Sequence, residues 1–188
     1  MTGIAFSRRG FTLSALAATS GLAACGNGVN STGPQVIDAR VETTLNEMYQ
    51  TFPNTRNLAD KASGMLVMPL ITEAGLGFGG SYGRGSLQVT DATVDYYSAA
   101  QISGGLQFGA QQYAHVLFFM TEDSLAEFRA SSGWEVGGDI QYVISDQGEG
   151  ASADTTTTLS PIIALVFARA GLLLGATLQG TKYTRIIP

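Results

Sequence analysis

Two features of this chain could carry chemistry: a glycine-rich turn and a single histidine. Gly75, Gly77 and Gly80 fit G-x-G-x-x-G, the spacing of a dinucleotide-binding turn. Such a turn needs a helix directly after it, because the helix N-terminus binds the pyrophosphate. Residues 81–90 contain two further glycines and a β-branched end, which disfavour a helix. We therefore expect no nucleotide at this turn.

His115 is the only histidine, and it stands among Tyr113, Val116 and Leu117, a setting that predicts a core histidine in a strand. With one histidine and one cysteine, the sequence offers no Cys/His pair for nucleophilic catalysis and no usual zinc ligand set. No G-x-S-x-G elbow accompanies His115 for a serine triad. The sequence thus predicts a protein that is not an enzyme and needs no metal or cofactor.

The only cysteine, Cys25, ends an N-terminal segment with the features of an export signal. Arg8 and Arg9 precede a mildly apolar stretch, 11–24, which is too short to span a bilayer. Leu-Ala-Ala-Cys at its end resembles the lipobox of a bacterial lipoprotein. The resemblance implies cleavage before Cys25, diacylglycerol on its sulfur and acylation of the new amino terminus. Two or three acyl chains anchor a protein stably.

Other interpretations of this segment stay open. The run around Arg8 and Arg9 also resembles a twin-arginine export signal, and an ordinary signal peptide with a chance cysteine is the simpler alternative. Gly26 after the cysteine is the pattern that lipoprotein sorting assigns to the outer membrane, facing the periplasm. We expect a signal peptide at 1–24, a lipidated cysteine and flexible tether at 25–34, and a single domain at 35–188.

Composition and charge narrow the class of protein. Hydrophobic residues make up 45% and charged residues only 13%, with 24 glycines, which favours a β-rich domain with many turns. The formal net charge is −5, and loss of Arg8 and Arg9 would make it −7. An acidic chain is not expected to bind nucleic acid, or to bind anionic lipid through a polybasic segment. We expect no nucleic-acid partner.

The periodicity of apolar residues predicts two N-terminal helices, one from Val36 that stops at Pro53 and a short one capped by Asn54. A third helix, 121–130, has Thr121 as its N-cap. Pro69 predicts an edge strand or a bulge. Candidate strands are 65–71, 76–90, 94–102, 105–111, 114–120, 139–145, 161–168 and 171–179. The last two read as paired strands rather than a membrane helix, because Arg169 and two glycines interrupt them.

The glycines from 75 to 85 fit a strand better than a nucleotide loop. With period two, every second residue from Gly75 to Gly85 is glycine or serine, so one strand face is almost bare backbone. Glycine inside a strand marks a bend, a bulge or a close approach by another group. We consider a helix, another sheet or a lipid chain as that group.

A unit of the form G-L-x-[FL]-G-[GA] occurs at 75–80, 105–110 and 171–176. Its three copies predict hairpins arranged around a strongly coiled sheet. The expected fold class is α+β, with N-terminal helices packed on a strongly curved, mainly antiparallel β-sheet or small barrel.

Several motifs in order resemble the SYLF domain: 62–69, 73–85, 105–111 and 170–180. The resemblance covers roughly residues 38–185. It implies binding of phosphoinositides or other phospholipids, and actin-related roles in eukaryotic members; bacterial members are often small lipoproteins. The family usually has a Trp-Ser pair before the second glycine unit, where this chain has Tyr96, Tyr97 and Ser98.

These observations predict a membrane-anchored lipoprotein with a non-catalytic phospholipid-binding domain. The alternative is an envelope scaffold that packs its glycine-rich strands against a protein partner of unknown identity. The covalent acyl anchor falls on Cys25. The candidate lipid-binding residues are Lys61, Gly77, Phe78, Gly79, Tyr82, Arg84, Phe108, Gly109 and Lys182.

Overall fold

The computed structural model describes residues 31–137, 140–145, 160–170 and 178–188; for residues 76, 77, 103–109, 140–145 and 170 it describes the backbone alone. Cys25 and the whole segment 1–24 therefore lie outside the described residues, as does most of candidate strand 171–179. The elements in chain order are α1 (Gly33–Thr51), α2 (Thr55–Lys61), β1 (Gly64–Val89), β2 (Ala92–Phe119), α3 (Glu122–Ala130), β3 (Trp134–Glu135), β4 (Ile140–Ser145), β5 (Ile162–Ala170) and β6 (Lys182–Ile186).

The two N-terminal helices form where the sequence predicts them. Helix α1 buries Ile37, Val41 and Met48, which recur at helical spacing, and it ends just before Pro53. It begins at Gly33, so the last two residues of the predicted tether are helical. Asn54 precedes α2 but makes no side-chain cap hydrogen bond.

Helix α3 confirms the predicted N-cap. The Thr121 hydroxyl accepts a hydrogen bond from the Ser124 backbone N–H at 3.2 Å. Glu122 and Asp123 lie in the first turn, where their charges favour the helix dipole. The helix lies between β2 and β3 in the chain, and its buried Phe128 packs against the sheet.

Six strands form one sheet in the described part of the chain, in the order β3-β6-β2-β5-β4. Strand β1 pairs with β2 along the edge opposite to the one that β6 and β5 occupy. All pairs are antiparallel except β4 with β5. The sheet is strongly curved, so the predicted α+β class and mainly antiparallel, curved sheet are confirmed. A register shift between Met68 and Ile71 places the predicted bulge at Pro69.

Strands β1 and β2 form one very long hairpin that joins five of the predicted strands. Its turn is Thr90-Asp91, whose φ angles of 50° and 61° match the twist of the flanking strands. The first two glycine units are opposite each other in this ladder, with Gly75 paired to Gly109. The prediction of separate hairpins for these units is therefore wrong, because one continuous ladder carries both. The third unit, 171–176, lies outside the described residues.

Strand β1 folds back on itself at these glycines. A Cβ atom added to Gly85 would lie 2.0 Å from the Val67 carbonyl oxygen, and one added to Gly83 would lie 2.4 Å from that of Leu70. At the corner, a Cβ on Gly75 would lie 2.5 Å from the Gly79 Cα. The bare face predicted from period two thus faces inward. The group that approaches Gly83 and Gly85 is the first half of the same strand.

The folded sheet carries a core on each face. The inner core combines Leu66, Tyr97, Leu117 and Val166 with Phe128 of α3. The outer core packs α1 and α2 against the first half of β1, the second half of β2, and β5. Consecutive residues of β5, of the start of β1 and of the end of β2 alternate between the two cores, as the pleat requires.

His115 is a core residue, as predicted, and is 1% exposed. Its Nε2 forms a 2.7 Å hydrogen bond with the Tyr183 hydroxyl, while its Nδ1 has no partner in the described part of the chain. Tyr183 pairs with Ala99 near the start of β2, so this contact joins the two halves of the folded sheet. Burial lowers the pKa of His115 to about 3.

Replacing Gly85 with alanine should destabilise the fold by about 3 kcal/mol, because the new Cβ would overlap the Val67 carbonyl and force the two halves of β1 apart. Urea unfolding measures the loss. Gly80→Ala in the same strand is the matched control, since its Cβ would have an ordinary 3.4 Å contact. Equal losses in the two variants would contradict the fold-back.

Acidification should destabilise the protein through His115. The folded-state pKa is about 3 and the unfolded value is 6.5, so the unfolded state binds the extra proton and stability falls as pH drops below 6.5. Between pH 7 and pH 5 the loss from this group should be about 2 kcal/mol. His115→Gln should flatten that part of the pH profile in urea unfolding; an unchanged profile would show that the pKa of His115 is the same in the folded and unfolded states.

Candidate functional site

Two of the predicted lipid-binding side chains are unusually exposed. Phe78 is 84% exposed and Tyr82 is 56% exposed, although both are large aromatic residues. They lie on the outward face of β1, just after the strand has turned its corner. Alternation along the strand therefore orients the aromatic rings away from the inner core, on the side opposite to the glycine face.

Ile102 is the residue that sequence reasoning missed, and it is 89% exposed. It lies opposite Gly80 in the ladder, and Ala100 lies opposite Tyr82. Ile102 is therefore diagonal to both Phe78 and Tyr82 on the same face, within reach of each. We call Phe78, Tyr82, Ala100 and Ile102 the outer patch. The sequence pattern places Ile102 in a strand. Nothing in the sequence indicates, however, that this face of the strand is exposed.

Two cations border the outer patch. Lys182 of β6 pairs with Ala100, so Tyr82, Ala100 and Lys182 form one row across three strands. Arg84 lies in the next row, opposite Ser98. Lys182 is exposed, and its aliphatic stem packs over Gly133, where a Cβ would lie 2.6 Å from the Lys182 Cε. The glycine thus allows the lysine stem to lie close to the surface.

The charged residues around the patch are of both signs. Alternate residues face outward on β1 from 80 to 86, on β2 from 96 to 102 and on β6 from 182 to 186. These positions hold Arg84 and Lys182 and no carboxylate. On the neighbouring β3, the exposed Glu135 pairs with Lys182. The outer patch is consequently an apolar surface bordered by two cations, one of which lies opposite a carboxylate.

The predicted glycines shape the corner beside the patch. Gly77 and Gly79 lie where β1 doubles back, and the ladder is irregular between Leu76 and Phe78. Gly109 and Phe108 lie opposite Gly75 and Leu76 in the ladder. These four predicted residues therefore belong to the same region as Phe78, and the structure brings them together through the backbone.

Lys61 lies apart from this group. It is exposed in the last turn of α2, and the chain then enters β1 at Gly64, whose added Cβ would lie 3.2 Å from the Gln88 carbonyl. This is the end of the hairpin near the Thr90-Asp91 turn, away from the corner. The structure thus separates Lys61 from Lys182 and the outer patch.

A cleft of about 540 Å³ opens at that other end. Its lining includes Tyr49, Arg56, Asp60 and Asp91. The Arg56 guanidinium lies 4.6 Å from the centre of the Tyr49 ring, a cation–π contact, and burial raises the pKa of the Tyr49 hydroxyl. The cleft is lined by charges of both signs, which does not suit an acyl chain.

Two kinds of feature are absent from the described residues. No helix among them is long and apolar enough to cross a membrane. Within the same ranges, no three His, Cys, Asp or Glu side chains are grouped so that they could hold a metal ion.

A sequence model of one known family matches part of the chain. This model, of the Ysc84 family, is described as "Las17-binding protein actin regulator" and matches residues 100–185. None of the curated proteins matches the chain. The matched range is slightly less than half of the chain and includes Ala100, Ile102 and Lys182. The match confirms the resemblance to the SYLF domain: residues 100–185 are similar to the Ysc84 family.

Proposed function

We propose that this protein is a bacterial lipoprotein of the cell envelope whose domain binds phospholipid surfaces through the outer patch. The domain acts without catalysis: it inserts apolar side chains into a membrane interface and uses neighbouring cations to contact phosphate groups. The family supports a lipid-binding or actin-regulator-like module in general terms. The outer patch is the particular surface that we assign to phospholipid.

The observation that carries this proposal is the exposure of Phe78 and Ile102, at 84% and 89%. Side chains of this size are rarely so exposed together in a soluble domain unless they mark an interaction surface. They are close to Tyr82, which has an apolar ring and a polar hydroxyl, the combination found at the headgroup level of membranes. The patch therefore suits the boundary between headgroups and acyl chains.

The cations favour phospholipid over an uncharged apolar partner. Lys182 and Arg84 border the apolar side chains on the outward face, so phosphate groups would lie beside the inserted rings. A lysine or arginine near an anionic membrane contributes about 1 kcal/mol. Two such residues give moderate electrostatic attraction rather than the strong hold of a polybasic segment.

The proposed location follows from Cys25. Acylation there would anchor the domain to a membrane of the envelope, and Gly26 favours the outer membrane with the domain facing the periplasm. In that arrangement the acyl chains keep the protein at the membrane. The outer patch then determines how the folded domain meets the lipid surface.

Vesicle binding by a chain without its anchor tests the function. Residues 25–188 with Cys25→Ser should co-sediment with vesicles of phosphatidylglycerol and phosphatidylethanolamine. If this chain is folded and binds neither anionic nor zwitterionic vesicles, the domain has no lipid site of its own. The envelope scaffold, with a protein partner on the same patch, then becomes the better assignment.

Removing one apolar side chain from the patch should weaken vesicle binding. Ile102→Ser should raise the dissociation constant about tenfold, since it removes most of one inserted side chain. Ile187→Ser is the matched control, because Ile187 is 73% exposed but lies after the end of β6. Co-sedimentation measures both variants, and an equal effect of the two substitutions would contradict the assignment to the outer patch.

The two predicted lysines should differ in their effect on anionic vesicles. Lys182→Gln should weaken binding about fivefold, in line with the loss of one cation at the surface, and should make binding less sensitive to salt. Lys61→Gln should leave binding unchanged, because Lys61 lies at the other end of the hairpin. A loss with Lys61→Gln alone would move the lipid site to the helical end of the domain.

A further inference from the structure

The start of the described chain lies beside Pro188. The Ser31 hydroxyl donates a 2.6 Å hydrogen bond to the Pro188 carbonyl, and Gly33 packs against Pro188. The first turns of α1 are also held to β2, because Asp38 accepts hydrogen bonds from Tyr96 at 2.8 Å and from Thr93 at 3.0 Å. The chain thus enters the domain at a fixed point, at the start of β2.

This entry point lies on the same side of the sheet as the outer patch. Tyr96 faces outward on β2, six residues before Ile102, so the two share one face. Thr93 also reaches Asp38 on this side, and the register shift between Leu87 and Gln88 leaves Val94 as the extra residue of a bulge. Partial burial and the hydrogen bond to Asp38 raise the pKa of Tyr96 to about 12, so its hydroxyl stays a donor to the carboxylate at neutral pH. Helix α1 is therefore fastened to the outward face of β2.

Apolar side chains are exposed at both ends of this side. Val36 of α1 is 46% exposed and Val94 is 41% exposed beside the entry point. Ile102 and Phe78 are exposed at the corner, eight residues further along β2 from Val94, which is about 27 Å in a strand. Between the two ends the outward positions on β1, β2 and β6 include Lys182 and no carboxylate, and Glu135 of β3 lies opposite Lys182.

The tether limits how far the entry point is from the anchor. Cys25 precedes Ser31 by six residues, which span at most about 21 Å when fully extended. This reach is shorter than the side from Val94 to Ile102. The tether therefore holds one end of this apolar side close to the membrane. When the domain lies flat, both ends of the side contact the membrane.

We propose that the domain lies side-on against the same membrane that holds Cys25. Val36 and Val94 meet the lipid next to the tether, Phe78 and Ile102 meet it at the corner, and Lys182 contacts phosphate between them. This inference rests on the proposed function and adds the orientation of the domain. The outer patch contacts the membrane that holds Cys25 and not a second membrane. Because the tether supplies a high effective concentration, a weak intrinsic affinity is enough.

Site-specific spin labels on the acylated chain test the orientation. Acylation occupies the thiol of Cys25, so one introduced cysteine gives a single label. Ala100→Cys places it in the outer patch, and Ala126→Cys places it on the exposed face of α3, which packs on the inner core. Both substitutions are alanine to cysteine at exposed positions, so they form a matched pair.

Collisions with a lipid-soluble and a water-soluble relaxing agent measure the position of each label in vesicles of phosphatidylglycerol and phosphatidylethanolamine. The label at residue 100 should collide severalfold more with oxygen than with a nickel chelate, relative to the label at residue 126. Ile102→Ser should remove that difference while the protein stays anchored.

The remaining outcomes separate the two proposals. Equal exposure of the two labels to water, together with vesicle binding by the Cys25→Ser chain, overturns the side-on orientation and leaves the function intact. Aggregation of vesicles that carry the acylated protein would then show that the outer patch binds a second membrane. Equal exposure without vesicle binding by the Cys25→Ser chain overturns both proposals.

Discussion

The fold depends on a contact between backbone atoms of one strand. Gly83 and Gly85 lie against the carbonyl groups of Leu70 and Val67, so the two halves of β1 approach more closely than any side chain would allow. This approach requires the corner at 75–79, and β2 follows β1 around it through the ladder. Closing the sheet in this way encloses the inner core, and no element among the described residues covers the outward face of the corner. The same glycines thus create both the interior and the exposed surface.

The interior is secured by a buried polar contact as well as by packing. Tyr183 and His115 come from opposite halves of the folded sheet, and their hydrogen bond gives each a partner away from water. Around them, Tyr97, Phe119 and Trp134 contact Phe128 of α3, so the helix is packed into the aromatic part of the core. A neutral, buried histidine fits a structural role in this core, and acid is the condition that should disturb it first.

The outer surface is divided by what covers it. Helices α1 and α2 cover the outward face of the first half of β1 and of β5, where Val67, Ala114 and Leu165 form the outer core. In the described part of the chain, no helix covers the outward face of β2 beyond the start of α1. Ala100 and Ile102 are exposed on that face. The function we propose uses this uncovered half. The ends of the helices therefore define the side that we propose faces the membrane.

The sequence by itself determined the local elements: α1 and its stop before Pro53, the Thr121 cap, the buried His115 and the period-two glycine face. It also determined the family that residues 100–185 resemble. These follow from spacing, capping and backbone chemistry within a few residues. Only the tertiary structure decided that two glycine units face each other, that β1 covers its own glycines, and that Lys61 is far from Lys182. Ile102 shows the reason: exposure depends on which elements pack over a face, and that is set by contacts between residues far apart in the chain.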